Sequence, residues 1–203
     1  MRKGWPGAAL AAALVTSVLS PPAAGAAARH HTYRFPIAHC AVSYAHYHHD
    51  YPATDIIVAK GCSFVAPIAG TVDEVSRHDY WHAGTDRGAA RGGRSVSIVG
   101  TDGVRYYGAH LSHVADGIRP GVHVKRGQLL GRTGESGNAS GPHLHFGISW
   151  PTRDGIWWVR RGEVWPWRYL DAWREHIDKS PVRAVRRALH DAGRRVPRCH
   201  VDC

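Results

Sequence analysis

The chain has 203 residues, 43% of them hydrophobic, a formal charge of +10 at neutral pH and 16 histidines. That is enough apolar material for one ordinary domain plus tails, and it excludes wholesale disorder. The basic balance suggests polyanionic surroundings (nucleic acid, anionic lipid or anionic wall polymer) without choosing among them.

In chain order, residues 1–28 read as a signal peptide rather than as fold. Arg2 and Lys3 make a positive start, Ala8 to Leu19 a short apolar run, and Ala24-Gly25-Ala26 offers small residues for cleavage near Ala26–Ala28. The run is short for a bilayer span, a retained anchor being the alternative, and no other stretch is long and apolar enough. The expected mature chain is therefore exported, soluble, without a transmembrane segment, and monomeric, and export disfavours nucleic acid as a partner. Export also changes the meaning of Cys40, Cys62, Cys199 and Cys203: three pairings exist, and proximity favours Cys40–Cys62 and Cys199–Cys203. A cysteine zinc site is disfavoured because no C-x2-C is present.

Residues 29–39 read as an extended entry. Short apolar runs follow at Asp55–Ala59, Ser63–Pro67 and Ala69–Val72. Ser95–Val99 alternates and stops at Gly100-Thr101-Asp102-Gly103, a hairpin signal whose partner strand is Val104–Leu111. Val122–Gly131 reads as another hairpin, Gly141–Ile148 as a strand, and 80–94, rich in Gly, Arg and Ala, as a mobile loop. The pattern predicts a mostly β fold, an antiparallel open sheet or sandwich built of hairpins with a groove, plus a short helical C-terminal extension. Trp157, Trp158, Trp165, Trp167 and Trp173 read as packing residues closing the sheet or as a sugar-stacking platform. Pro166–Trp173 reads as a short helix, and Ser180-Pro181 and Gly193 bracket another whose apolar face is Val182, Val185, Leu189 and Ala192. Its arginines, Arg183, Arg186, Arg187 and Arg194, form a solvated basic surface or a hold on anionic wall polymer. The expected division is 1–28 signal, 29–175 domain and 176–203 basic amphipathic tail.

The chemistry concentrates in histidines. On a strand, His143 and His145 share one face, about 7 Å apart, while Leu144, Phe146 and Ile148 share the other. His46, His48 and His49 precede Asp55, and His110 closes a strand. Alone, the first cluster could be a metal-scavenging tract. Histidine and aspartate on separate strand ends also supply what a zinc hydrolase needs: three N/O ligands, an open position, and further imidazoles for proton handling.

On His46–Asp55, Gly70-Thr71-Val72, Val124–Gly131 and Gly141–Phe146, the chain resembles the lysostaphin/LytM-type zinc endopeptidases over roughly residues 45–150. The wording H-H-D-Y-P-A-x-D resembles a secreted subgroup of them. The resemblance implies an antiparallel β fold with an open groove, one Zn2+ per chain, and hydrolysis of peptide bonds in bacterial peptidoglycan, the expected partner. It implies metal ligands His49, Asp55 and His145, with His110 and His143 as catalytic residues. The usual first motif is H-x3-D, but Tyr51 stands four residues before Asp55. His49 gives H-x5-D and is the expected ligand, His48 the second choice. Two other readings stay open: an inactive peptidase-like module that binds the wall or activates a hydrolase, and an extracellular zinc-binding protein.

Overall fold

The computed structural model describes residue 1, residues 32–153 and 156–193, and residue 199. Apart from Met1, the expected signal segment lies outside these, as does Cys203, so the Cys199–Cys203 pairing falls outside them too.

Among the described residues there are nine strands: β1 Ile37–Ala38, β2 Thr54–Ile57, β3 Ser63–Val65, β4 Gly70–Ser76, β5 Arg94–Gly100, β6 Arg105–Val114, β7 His123–Val124, β8 Leu129–Thr133 and β9 His143–Ser149. Three helices follow, α1 Trp157–Arg160, α2 Trp167–Arg174 and α3 Val182–Asp191. Every strand pairing is antiparallel. The main path runs β1-β3-β8-β6-β5-β4-β7, with β9 joining β6 and β2 joining β9. The mostly β, open antiparallel architecture is as the sequence predicts.

Local rules explain most of it. Val96 and Ile98 of β5 are fully buried at alternate positions, the mark of a strand on a core. The β5–β6 hairpin closes where expected: Gly100 N–H donates to the Val104 carbonyl at 2.8 Å, and Gly103 takes φ +76°, which glycine adopts without strain. The second expected hairpin does not form. Gln128 N–H does bond to the Lys125 carbonyl at 2.9 Å. But β7 leaves to pair with β4 while β8 pairs with β3 and β6. A turn signal fixes a reversal, not which strands then pair.

The ten-residue β6 is the spine. Arg105–Leu111 faces β5 on one edge; on the other, Arg105–Ala109 pairs with β9 and Leu111–Val114 with β8. The partner changes at His110. There Arg94 faces Leu111 although Val96 faces Gly108, so β6 carries one extra residue, a bulge, and His110 takes φ +61°.

The core gathers Phe64, Ile98, Tyr106, Leu111, Leu144, Phe146 and Ile148, all fully buried. Leu144, Phe146 and Ile148 share the core face of β9 as predicted. The opposite face is not open surface: His143 is 8% exposed and His145 4%. Residues 156–164 cover it, approaching so closely that a Cβ on Gly147 would stand 2.3 Å from the Arg161 carbonyl oxygen.

The ends of the fold are tied together. The Tyr33 hydroxyl donates to Asp102 (2.9 Å) and accepts from the Ser180 hydroxyl (3.0 Å), and Thr32 and Tyr33 N–H groups donate to Asp178. Tyr33 stacks on Trp173 at 5.3 Å, and Trp173 is 2% exposed. The packing reading therefore holds for Trp173. Ser180 Oγ accepts the Val182 N–H, Gly193 takes φ +68°, and Val185 of α3 packs into the core. These contacts run from residue 32 to residue 185, all inside one compact unit, His31–Cys203. Cys40 and Cys62 form a disulfide, as the sequence predicts.

Candidate active site

Register brings the chemistry together. In the β2–β9 pair Asp55 lies opposite His145 and Ile57 opposite His143, and opposed residues present their side chains on one face. Asp55 Oδ1 stands 2.9 Å from His145 Nδ1 and 3.8 Å from His143 Nε2. The 48–53 turn then folds a third imidazole over them: His48 Nε2 is 3.6 Å from Asp55 Oδ2. His48 and not His49 joins this group. His49 is exposed, and its Nδ1 faces the Asp50 carboxylate at 2.9 Å. The first cluster thus splits by direction, His48 inward and His49 outward.

His110 completes the set. Its ring centroid is 4.5 Å from that of His143 and 6.0 Å from that of His145. Two carbonyls fix the outer imidazoles: Nδ1–H of His110 donates to the Ser136 carbonyl and Nδ1–H of His143 to the Gly141 carbonyl, each at 2.8 Å. A carbonyl only accepts, so each ring carries its proton on Nδ1 and keeps an Nε2 lone pair. His110 is further seated by its own N–H, which donates to the Gly92 carbonyl at 2.9 Å.

His145 is held on both sides. Its Nε2–H donates to the Arg161 carbonyl at 2.9 Å, which leaves the Nδ1 lone pair pointing at a carboxylate oxygen 2.9 Å away. Two lone pairs at that distance repel unless a proton or a cation lies between them. One donor atom each from His48, Asp55 and His145 lies within 4.8 Å of the others, and His48 Nδ1 is buried without a hydrogen-bond partner. The trio is therefore of the right type and number to hold a metal ion, and the carbonyl behind His145 is the kind of outer partner that orients a histidine ligand.

Electrostatics agree. Burial, with the neighbouring His145 charge second, pushes His48 down to about 4. Burial and the charges of His145 and His143 push His110 down to about 3, so both are neutral at pH 7. For Asp55, burial alone would raise the carboxyl. The imidazoles of His145, His143 and His48 around it outweigh that and hold it well below the usual carboxylate range.

These residues floor a groove of about 170 Å³. One wall is the segment expected to be a mobile loop. It holds a 3₁₀ turn at Gly88–Ala90 and is sewn in by Asn138 N–H to the Arg91 carbonyl (2.8 Å) and by the Arg91–Asp86 ion pair. Gly92 and Gly93 fit so tightly against Tyr107 and Ser136 that neither has room for a Cβ, which explains the glycine pair there. The other wall is Trp157, Arg160 and Arg161, with Arg161 lying 4.0 Å over the Tyr51 ring. Sequence reasoning missed Tyr51, Tyr107 and Arg161; the hint available was an aromatic following H-H-D.

A match to the family model described as peptidase family M23 spans residues 49–155, just over half of the chain. The chain belongs to peptidase family M23. The chain is similar to lysostaphin of Staphylococcus simulans, 39% identical over 56 residues, which are 27% of this chain and 11% of that protein. It is also similar to the glycyl-glycine endopeptidase ALE-1 of Staphylococcus capitis, 41% identical over 56 residues, 27% of this chain and 15% of that one. The chain thus matches only about a tenth to a seventh of the length of these relatives. Among solved structures, the catalytic domain of lysostaphin from Staphylococcus simulans aligns with a TM-score of 0.47 at 22% identity, over 66% of this chain and 92% of that one. A zinc-containing peptidase from Vibrio cholerae aligns at 0.46 and 22% identity, over 66% and 39%.

Proposed function

We propose that this M23 chain is an exported zinc endopeptidase that hydrolyses peptide bonds in bacterial peptidoglycan. The observation that carries this reading is the trio His48, Asp55 and His145 facing His110 and His143 on the floor of one groove. His48, Asp55 and His145 would hold one Zn2+; the assignment passes from His49 to His48 because His49 faces solvent. Zinc held there supplies Lewis acidity and lowers the pKa of water towards about 7. His110 and His143, their Nδ1 protons committed to carbonyls, each present an Nε2 lone pair. One accepts the proton of the attacking water; once protonated, such an imidazole donates it to the leaving amine. The other supports the developing oxyanion only in its protonated form, donating Nε2–H while its Nδ1–H stays on the carbonyl. No Ser or Cys nucleophile is required. The substrate lies along the groove between the 88–92 wall and the Trp157–Arg161 wall. Export through the signal peptide 1–28 accords with the Cys40–Cys62 disulfide, since such bonds persist outside the cytoplasm. The basic tail from 176 assists retention on anionic wall polymer.

The test is zinc per chain by elemental analysis, paired with turnover of purified peptidoglycan with and without a chelator. His48→Ala, Asp55→Ala and His145→Ala should lose zinc and activity together, whereas His49→Ala keeps both. His110→Ala and His143→Ala should keep zinc and lose about 10²–10⁴-fold in turnover. Stoichiometric zinc in His48→Ala would overturn the ligand set, and zinc-loaded wild type without turnover would make the domain a binding module.

A further inference from the structure

A second cavity, apart from the zinc groove, is built between the chain's extended entry and the C-terminal end of α2. It encloses about 620 Å³. Its lips carry Arg34 and His39 from the entry, Arg126 from the 125–128 turn, and Arg174 and His176 from the end of α2. No Asp or Glu is among the described residues that line it. The three guanidinium groups are positioned rather than merely nearby. Arg34 lies along the turn so closely that a Cβ on Gly127 would stand 2.9 Å from its Nη1, which holds Arg34 beside Arg126. The Arg174 guanidinium rests over Phe35 and Tyr44, 5.8 and 5.7 Å from their centroids, so its direction is fixed before any ligand arrives. His39 and His176 both take positive φ, +63° and +58°, a conformation that costs energy in a residue with a side chain and recurs at binding sites. The α2 carbonyls that would repel an anion are closed off: Ala172 O accepts from Glu175 and Ile177, and Trp173 O from His176.

We propose that this cavity is a binding site for a linear phosphodiester polymer without bases. Arg34, Arg126 and Arg174, converging from three segments on a lining that holds no carboxylate, are stabilised by an anion between them. Donors on facing lips suit a phosphodiester, whose non-bridging oxygens can be met from two sides. A nucleic acid would need open aromatic faces for base stacking. Here Tyr33 is stacked on Trp173 at 5.3 Å, and Phe35 is stacked on Tyr44 at 6.0 Å beneath Arg174. The site is independent of α3, whose arginines lie elsewhere, and of the zinc chemistry.

The experiment is titration of the full chain with a glycerol-phosphate oligomer across a salt series, with polyglutamate and a poly-dT strand of equal charge as competitors. Arg34→Gln/Arg126→Gln should weaken oligomer binding at least tenfold and shallow the salt slope by about 1–2 units, each lost phosphate contact removing roughly 0.7. Arg186→Gln/Arg187→Gln on α3 should stay within twofold. Hydrolysis of a soluble peptide by both double variants should equal that of wild type, so a failure here is distinguishable from a failure of the peptidase reading. Unchanged binding in the first variant, or equal losses in both, would overturn the site. Tighter binding of poly-dT or of polyglutamate would overturn the assigned ligand class.

Discussion

Gly147 tests whether the fold enforces the geometry of the metal trio. In Gly147→Ala the new methyl would lie 2.3 Å from the Arg161 carbonyl oxygen, 2.7 Å from its carbon and 3.1 Å from the Arg160 oxygen. The nearest of these is roughly 1 Å short of the ~3.5 Å of a relaxed contact, and all three atoms are backbone, so the 156–164 segment must lift. Overpacking of this kind costs about 1–3 kcal/mol, and a domain of this size loses roughly 2–4 °C of Tm per kcal/mol. Lifting also withdraws the carbonyl that accepts the His145 Nε2 proton. That frees the ring to choose the other tautomer, which closes the Nδ1 lone pair to a metal, and losing such an outer partner typically costs 10–100-fold in metal affinity. Zinc affinity by competition with a chelating dye, alongside thermal melts of the metal-free protein, reads both effects. Gly61→Ala is the control: its φ of +90° costs about 1–2 kcal/mol but nothing lies within 4 Å of the new methyl, so Tm should fall while zinc affinity stays. Unchanged zinc affinity in a destabilised Gly147→Ala would refute the claim that the Arg161 carbonyl orients His145.

Three further outcomes are expected. Cys40→Ser/Cys62→Ser should lose about 3 kcal/mol, the chain-entropy value for a closed loop of 22 residues, read as a denaturant midpoint against oxidised wild type. Burial raises the Glu163 carboxyl from 4.5 to about 7. The unfolded chain therefore loses that proton first, and stability should fall between about pH 4.5 and 7 and level off above; Glu163→Gln should flatten this by about 1–2 kcal/mol, discounted for partial exposure, in melts at pH 5 and pH 8. His110→Gly, which adopts φ +61° freely, should be more stable than His110→Ala by about 1 kcal/mol while both lose turnover equally; equal stabilities would mean the bulge carries no strain.

Much of this was legible in the sequence because the signals were local. Alternation at Ser95–Val99 and Gly141–Ile148, the glycine turn at 100–103 and the Ser180-Pro181 start each depend on a few neighbouring residues, and each is found in the structure. The failures are non-local. Which partner β7 and β8 choose depends on β4, β3 and β6, far away in the chain. The 80–94 stretch looks flexible by composition, yet Gly92 and Gly93 are there because Tyr107 and the 136–137 backbone leave no room for side chains. The choice between His48 and His49 turns on direction. Counting residues to Asp55 cannot show that the Asp50 carboxylate meets His49 on the solvent side while Tyr51, at 4.5 Å between ring centroids, packs against His48.

His110 shows how fold and site share one device. Sequence reading placed it at the end of a strand, yet β6 continues four residues beyond it to Val114. A regular strand there would point residues 109 and 110 to opposite faces and keep one partner along its edge. The extra residue at the bulge does two things at once. It hands β6 over from β9 to β8, which lets the sheet branch and puts β9, with Asp55 on its neighbour β2, in front of the core. It also turns the His110 ring towards His143, 4.5 Å between centroids, and sets its Nδ1 against the Ser136 carbonyl. Removing the bulge would restore a continuous ladder and withdraw the imidazole together. A residue strained at φ +61° is thus retained at the one place where the sheet changes partner and where the groove needs an imidazole.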